Sequence, residues 1–153
     1  MISLPRGKLL FDTSVYIRHI RDRRFPWVSE DRDVVERSIL TVVVVAELQA
    51  GARYPEEKKS LEELWRGHET LGTLSTPDKG SWLLAGQLLA SYVRLHGTLR
   101  MADHFRDVLI GLEAAKNQAT LLTENARDFL RWQKLFESAG LALAVFDTRR
   151  LPS

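Results

Sequence analysis

The segment Leu9-Leu10-Phe11-Asp12-Thr13-Ser14 constrains the fold more than any other part of the chain. A short, unbroken apolar run reads as a strand buried on both faces, the pattern of a parallel sheet. Here the run ends abruptly in a carboxylate. Open α/β sheets hold their ligands just beyond the carboxyl ends of their strands. Asp12 therefore stands where such a sheet places its chemistry, and further acids converging on it would make a site.

Beyond that segment the chain alternates between strand-like and helix-like stretches. Residues 8–11 form the first strand, and 13–20 a helix with Thr13 or Ser14 as N-cap. Residues 21–33 are a charged connection interrupted by Phe25-Pro26-Trp27, and 34–37 a short helix. Residues 38–45 have the local propensity of a strand, because consecutive valines favour one; 46–52 are more helical. Leu61, Leu64, Trp65, His68 and Leu71 fall at helical spacing within a helix over 56–71. Residues 73–75 make a short strand, 81–95 a helix closed by Gly97, and 105–115 another helix. Strand, helix and strand follow at 121–123, 126–136 and 141–146. This order predicts an α/β sandwich, three layers deep, with a mostly parallel sheet flanked by helices. At 153 residues, a single domain over 1–153 with its core at about 8–146 is expected.

Composition removes several classes. With no cysteine there is neither a disulfide nor a thiolate metal site, which fits a cytoplasmic protein. No apolar stretch approaches the roughly 20 residues that span a bilayer, and the first apolar run is too short for a signal peptide. Net charge is only +2, but 16 of the 22 basic residues are arginine, whose planar fork suits phosphate.

Four carboxylates sit against apolar surroundings: Asp12, Glu47 in a long apolar stretch, Asp107 in the helix with Val108, Leu109 and Leu112, and Asp128 after the strand at 121–123. Buried acids need a partner or a metal. Each also has a plainer role, as helix cap, exposed side chain, first-turn acid or arginine partner. Asp103 and Asp147 are competing acids of the same kind. Four scattered histidines and no cysteine disfavour zinc; oxygen ligands favour Mg²⁺ or Mn²⁺. Such an ion polarises a phosphoryl oxygen and activates water.

The ordered set resembles the PIN-domain family, and within it the VapC-type ribonuclease toxins of toxin–antitoxin pairs. The resemblance is carried by Leu10-Phe11-Asp12-Thr13-Ser14-Val15, Val45-Ala46-Glu47-Leu48-Gln49-Ala50-Gly51, the segment 72–97, Asp107-Val108-Leu109-Ile110-Gly111-Leu112-Glu113-Ala114, and Thr120-Leu121-Leu122-Thr123-Glu124-Asn125-Ala126-Arg127-Asp128-Phe129. It implies a Mg²⁺-dependent endoribonuclease, with Mn²⁺ as an alternative ion, whose products carry 5′-phosphate and 3′-hydroxyl ends. It also implies inhibition by a cognate antitoxin, and a homodimer. Asp12 and Asp107 would be the main metal ligands, with Glu47 acting through water. Asn125 stands where many members have Asp, and Asp128, three residues later, would supply the missing negative charge. Thr13, Thr123 and Arg18 are candidate substrate-binding residues, with Thr123 able to hydrogen-bond either a carboxylate or a substrate phosphate. Arg21, Arg23 and Arg24 with Phe25 and Trp27 are candidates to grip RNA; the alternative is a solvated loop with Trp27 tucked onto the core. The resemblance further implies that Val42–Val45 are helical against their propensity, with Thr41 as N-cap.

Two other readings remain. A catalytically weak PIN-like protein-binding module is favoured by the neutral Asn125. A haloacid-dehalogenase-type phosphatase is disfavoured, since it wants a second Asp where Ser14 stands.

Overall fold

The computed structural model describes residues 3–98 and 100–152, with Met101 in its backbone only. Five strands form one sheet: β1 (Leu9–Phe11), β2 (Ser38–Thr41), β3 (Leu74–Ser75), β4 (Thr120–Thr123) and β5 (Ala144–Asp147). Their order is β3-β2-β1-β4-β5, and every pairing is parallel. The expectation of a mostly parallel sheet therefore sharpens to an all-parallel one. Every residue of β1 and β2 is buried, so helices cover both faces of the sheet.

The helices are α1 (Thr13–Asp22), α2 (Trp27–Glu30), α3 (Arg32–Arg37), α4 (Val42–Gly51), α5 (Pro55–Leu71), α6 (Lys79–His96), α7 (Met101–Lys116) and α8 (Ala126–Ser138). α1, α4 and α5 pack together, as do α6, α7 and α8, and α4 also touches α7. Strands leave β1 first toward β2 and β3, then on the other side toward β4 and β5. The direction of winding thus reverses between β1 and β4, and the crevice at their carboxyl ends is where such sheets bind ligands.

Local propensity fails at the valine run. Residues 38–41 are strand, but Val42–Val45 open α4, as the family resemblance implies. The Thr41 hydroxyl accepts from the Val43 N–H at 3.3 Å and caps the helix. Val44 and Val45 are buried, so packing decides the conformation.

Other boundaries shift for identifiable reasons. The N-cap of α1 is Asp12 itself, not Thr13 or Ser14: its carboxylate accepts from the Val15 N–H at 3.3 Å. Asp78 caps α6 through the Ser81 N–H at 2.8 Å, starting that helix two residues early. β5 starts at Ala144 instead of 141, because the preceding residues are tied to α8. Leu141 N–H donates to the Phe136 carbonyl at 2.9 Å, and the Leu143 carbonyl accepts from Gln133 at 2.6 Å.

The connection after α1 is not an open loop. Phe25 and Trp27 are 1% and 7% exposed, and both belong to the main core. Their rings are 5.4 Å apart, and Trp27 lies 5.7 Å from Phe11 of β1. The alternative with Trp27 tucked onto the core is therefore the one observed, Phe25 joins it there, and burial takes the faces of both rings out of reach of RNA. Among the described residues no helix is long and apolar enough to cross a membrane.

Candidate active site

Asp12 emerges from β1 at the point of reversal and is 4% exposed. Three local groups hold its carboxylate. Ser14 donates to Oδ1 and Thr123 to Oδ2, each at 2.5 Å, while the Val15 N–H caps Oδ1. Both hydroxyls also accept a backbone N–H from the loop after β4. Ser14 Oγ takes that of Glu124 at 3.1 Å, and Thr123 Oγ1 that of Asn125 at 2.9 Å. The start of α8 is thereby clipped onto the end of β1. Burial pushes the Asp12 carboxyl up to about 6, against the opposing pull of these hydrogen bonds.

Glu47, one turn and a half into α4, is held from two sides. The Thr13 hydroxyl donates to Oε1 at 2.9 Å, and the Arg106 guanidinium lies 3.4 Å from Oε2. Asp107 projects from α7 beside them. Burial first, and then the negative charges of Asp12, Glu47 and Asp128, push its carboxyl up to about 7; Arg106 pulls it down. Asp12, Glu47 and Asp128, each on a different element, therefore lie near enough to Asp107 for their charges to act on it.

Asn125 and Asp128 are both exposed at the start of α8. Asn125 makes no side-chain cap to its helix, and Asp128 lies 3.9 Å from Arg131. Of the two, it is Asp128 whose charge reaches Asp107. Of the two uses expected of Thr123 it is the carboxylate that its hydroxyl bonds, that of Asp12, and the Thr13 hydroxyl is engaged by Glu47 instead of meeting substrate. Thr123 is fully buried, which takes it out of reach of a phosphate. Arg18 is exposed and already paired, at 2.9 Å with both Asp22 and Glu124. The competing acids lie elsewhere: Asp103 pairs with Arg100, and Asp147 with Arg149.

Ser14, Glu124 and Arg106 were not recognised as site-building residues. Ser14 follows Asp12 by two positions, the spacing of an Asx-type turn, which is the one local signal available. Arg106 adjoins Asp107 in sequence, but nothing local shows that it turns toward Glu47. Glu124 gathers Arg18 and, at 3.9 Å, Arg24, a long-range arrangement with no sequence signature.

The donors here are all oxygens and negative charge exceeds positive; burial raises the carboxyls of Asp12 and Asp107, and repulsion from the neighbouring acids raises that of Asp107 further. Among the described residues no three acids or imidazoles are close enough to hold one ion together. That excludes a direct cage of Asp12, Asp107 and Glu47. It fits Mg²⁺, which keeps several waters and takes one or two carboxylates plus substrate phosphate.

No family model matches the sequence, and no curated protein is similar to it by sequence. Solved structures are similar in fold. One is FitAcB from Neisseria gonorrhoeae, 25% identical with a TM-score of 0.61, covering 94% of this chain and 99% of that one. DNA-bound VapBC from Salmonella typhimurium is 18% identical at 0.66, covering 93% and 98%. VapBC2 from Rickettsia felis, bound to a promoter DNA fragment, is 19% identical at 0.60, covering 91% and 98%. The chain has the fold of these VapBC and FitAB structures over more than nine-tenths of its length, and it is the fold that the resemblance to VapC-type PIN-domain toxins implies.

Proposed function

We propose that the chain is a metal-dependent endoribonuclease of the VapC toxin type, hydrolysing RNA phosphodiester bonds and silenced by a cognate antitoxin. The observation that supports this most is the convergence of Asp12, Glu47 and Asp107, with Asp128, at the reversal point of the sheet. In this reading Asp12 and Asp107 hold Mg²⁺, or Mn²⁺ in its place, and Glu47 acts on it through water. When bound, the ion would polarise a phosphoryl oxygen and lower the pKa of water.

The remaining roles belong to the chain. Ser14 and Thr123 fix the orientation of the Asp12 carboxylate. Thr13 and Arg106 fix Glu47, which orients the attacking water together with Asn125 or Asp128. Attack on phosphorus breaks the bond to the 3′-oxygen, so the ends formed are a 5′-phosphate and a 3′-hydroxyl. The family's antitoxin partnership and homodimer come to this chain as part of the same proposal. The similar structures include VapBC and FitAB bound to DNA, which supports the antitoxin half of it.

The test is to incubate the protein with a pool of structured RNAs, with Mg²⁺, Mn²⁺ or chelator, beside Asp12→Asn, and to map the ends. Metal-dependent cuts with 5′-phosphates, reduced at least 100-fold in the variant, are expected. Folded protein that cleaves no RNA under any of these conditions would favour the protein-binding module, for which the neutral, exposed Asn125 is the supporting observation.

A further inference from the structure

Three helices bring an aromatic and cationic shelf to the edge of the acidic centre. Tyr92 of α6 lies 5.1 Å, centroid to centroid, from Trp132 of α8, and His104 of α7 meets the same indole edge-on at 5.5 Å. His96, one turn beyond Tyr92, lies against it at 4.6 Å with 36° between the ring planes. The Arg131 guanidinium stands 5.7 Å from the Tyr92 ring and 5.8 Å from that of Trp132. Trp132 is fully buried and serves as the floor; Tyr92 and His104 are half-buried, and His96 and Arg131 are exposed. The Trp132 indole N–H has no acceptor among the described residues, an unspent donor in the ring system that carries the shelf.

The shelf adjoins the acids through both helices that carry it. His104 precedes Asp107 by three residues, and Asp128 precedes Trp132 by four, spacings that put each pair on one helix face. Arg131 itself lies 3.9 Å from Asp128. Packing of α6 against α8 accounts for the buried Trp132. It does not account for a histidine and an arginine laid over the same rings with their outer faces in water.

We infer that this shelf of Tyr92, His96, His104 and Arg131 on Trp132 stacks one unpaired base of the RNA beside the scissile phosphate. The inference rests on the ribonuclease reading above. Aromatic rings and a guanidinium plane offer π-faces that take an unstacked base, whereas a base inside a duplex keeps its own stacking partners. Arg131 adds a positive charge that balances the adjacent acids when a phosphate enters. The sequence shows no sign of this, since the five residues come from segments 92–96, 104 and 131–132 that meet only in the fold.

The test uses one RNA oligonucleotide that the protein cuts, carrying either its natural bases or a single abasic ribose at each position flanking the cut. Cleavage is measured for the wild type, the exposed-residue variants His96→Ala and His96→Phe, and His96→Ala/His104→Ala, with folding checked by circular dichroism. Loss of one particular base should slow the wild type about tenfold or more, the size expected for base–aromatic stacking. The double variant should be slowed to the same degree on the natural RNA and show no further loss on the abasic one. Phe at position 96 should restore part of what Ala removes. An abasic penalty that persists undiminished in the variants, or a shelf variant that impairs capture of a protein partner while leaving cleavage intact, overturns the inference and leaves the nuclease standing. Absence of cleavage by the wild type takes down both.

Discussion

Asp12 is asked to do two things at once, and its protonation separates them. As a helix cap it accepts from Ser14, Thr123 and Val15; as a buried anion beside Asp107 it is costly. Its carboxyl, near 3.8 in an unfolded chain, titrates at about 6 when folded, and Asp107 at about 7. A raised folded pKa means that the native state holds protons the unfolded chain has released. The contribution to stability is full below about 4 and is lost as pH rises through about 6 to 7. For Asp12 a shift of about two units is on the order of 3 kcal/mol. Metal-free protein should therefore melt at lower temperature at pH 8 than at pH 5, with a flatter profile for Asp12→Asn in calorimetry. Added Mg²⁺ should recover stability at pH 8 and leave pH 5 almost unchanged.

Thr123 gives a second residue-level test. Valine there removes a donor from Asp12 and an acceptor from the Asn125 N–H, while serine keeps both. Thr123→Val should cost about 1–3 kcal/mol in denaturant unfolding, the cost of a buried unpaired N–H. It should also move the acid limb of the pH–rate profile upward, because a bond that lowers the Asp12 pKa is lost. Thr123→Ser should do neither.

At the scale of elements, the sequence was most legible where pattern and packing agree. The apolar run of β1 and the spacing of Leu61 and His68 in α5 announce their structures, and both residues are buried. The valine run shows the opposite case. Four β-branched residues argue for a strand, yet they begin a capped helix whose inner side is buried. Only the family resemblance, not propensity, anticipated it. Removing the cap with Thr41→Ala should cost about 1 kcal/mol of unfolding free energy. The α7–α8 contact is as tight as a glycine permits. A Cβ at Gly111 would meet the Phe136 ring at 3.1 Å, so Gly111→Ala should destabilise by about 1–3 kcal/mol despite better helix propensity.

Across the whole molecule, the acids were readable because each lies beside an apolar run, where an unpartnered charge is conspicuous. What organises them was not. Ser14 and Thr123 clip α8 to β1 across more than a hundred residues of sequence, and Arg106 reaches Glu47 from another helix. Apart from Thr123, a hydroxyl at a strand end that the sequence already offers to a carboxylate, such partners carry no local mark. Phe25 and Trp27 sit in a charged stretch that reads either as an RNA-gripping loop or as a solvated loop with Trp27 on the core, and only the sheet decides for the core. Because both are core, Trp27→Ala should destabilise the fold by about 3–5 kcal/mol, measurable by denaturation, before any effect on RNA is considered.

The central claim is that Asp12, Glu47 and Asp107 form one charged centre suited to a divalent cation. Its most direct test follows the side-chain carboxyl carbons by NMR through a pH titration, with and without Mg²⁺, assigning signals by Asp12→Asn and Asp107→Asn. Midpoints near 6 for Asp12 and near 7 for Asp107 are expected without metal, both falling well below these values when Mg²⁺ is present. Asp12→Asn should lower the Asp107 midpoint. Ordinary carboxyl midpoints that respond neither to Mg²⁺ nor to the neighbouring substitution would contradict it.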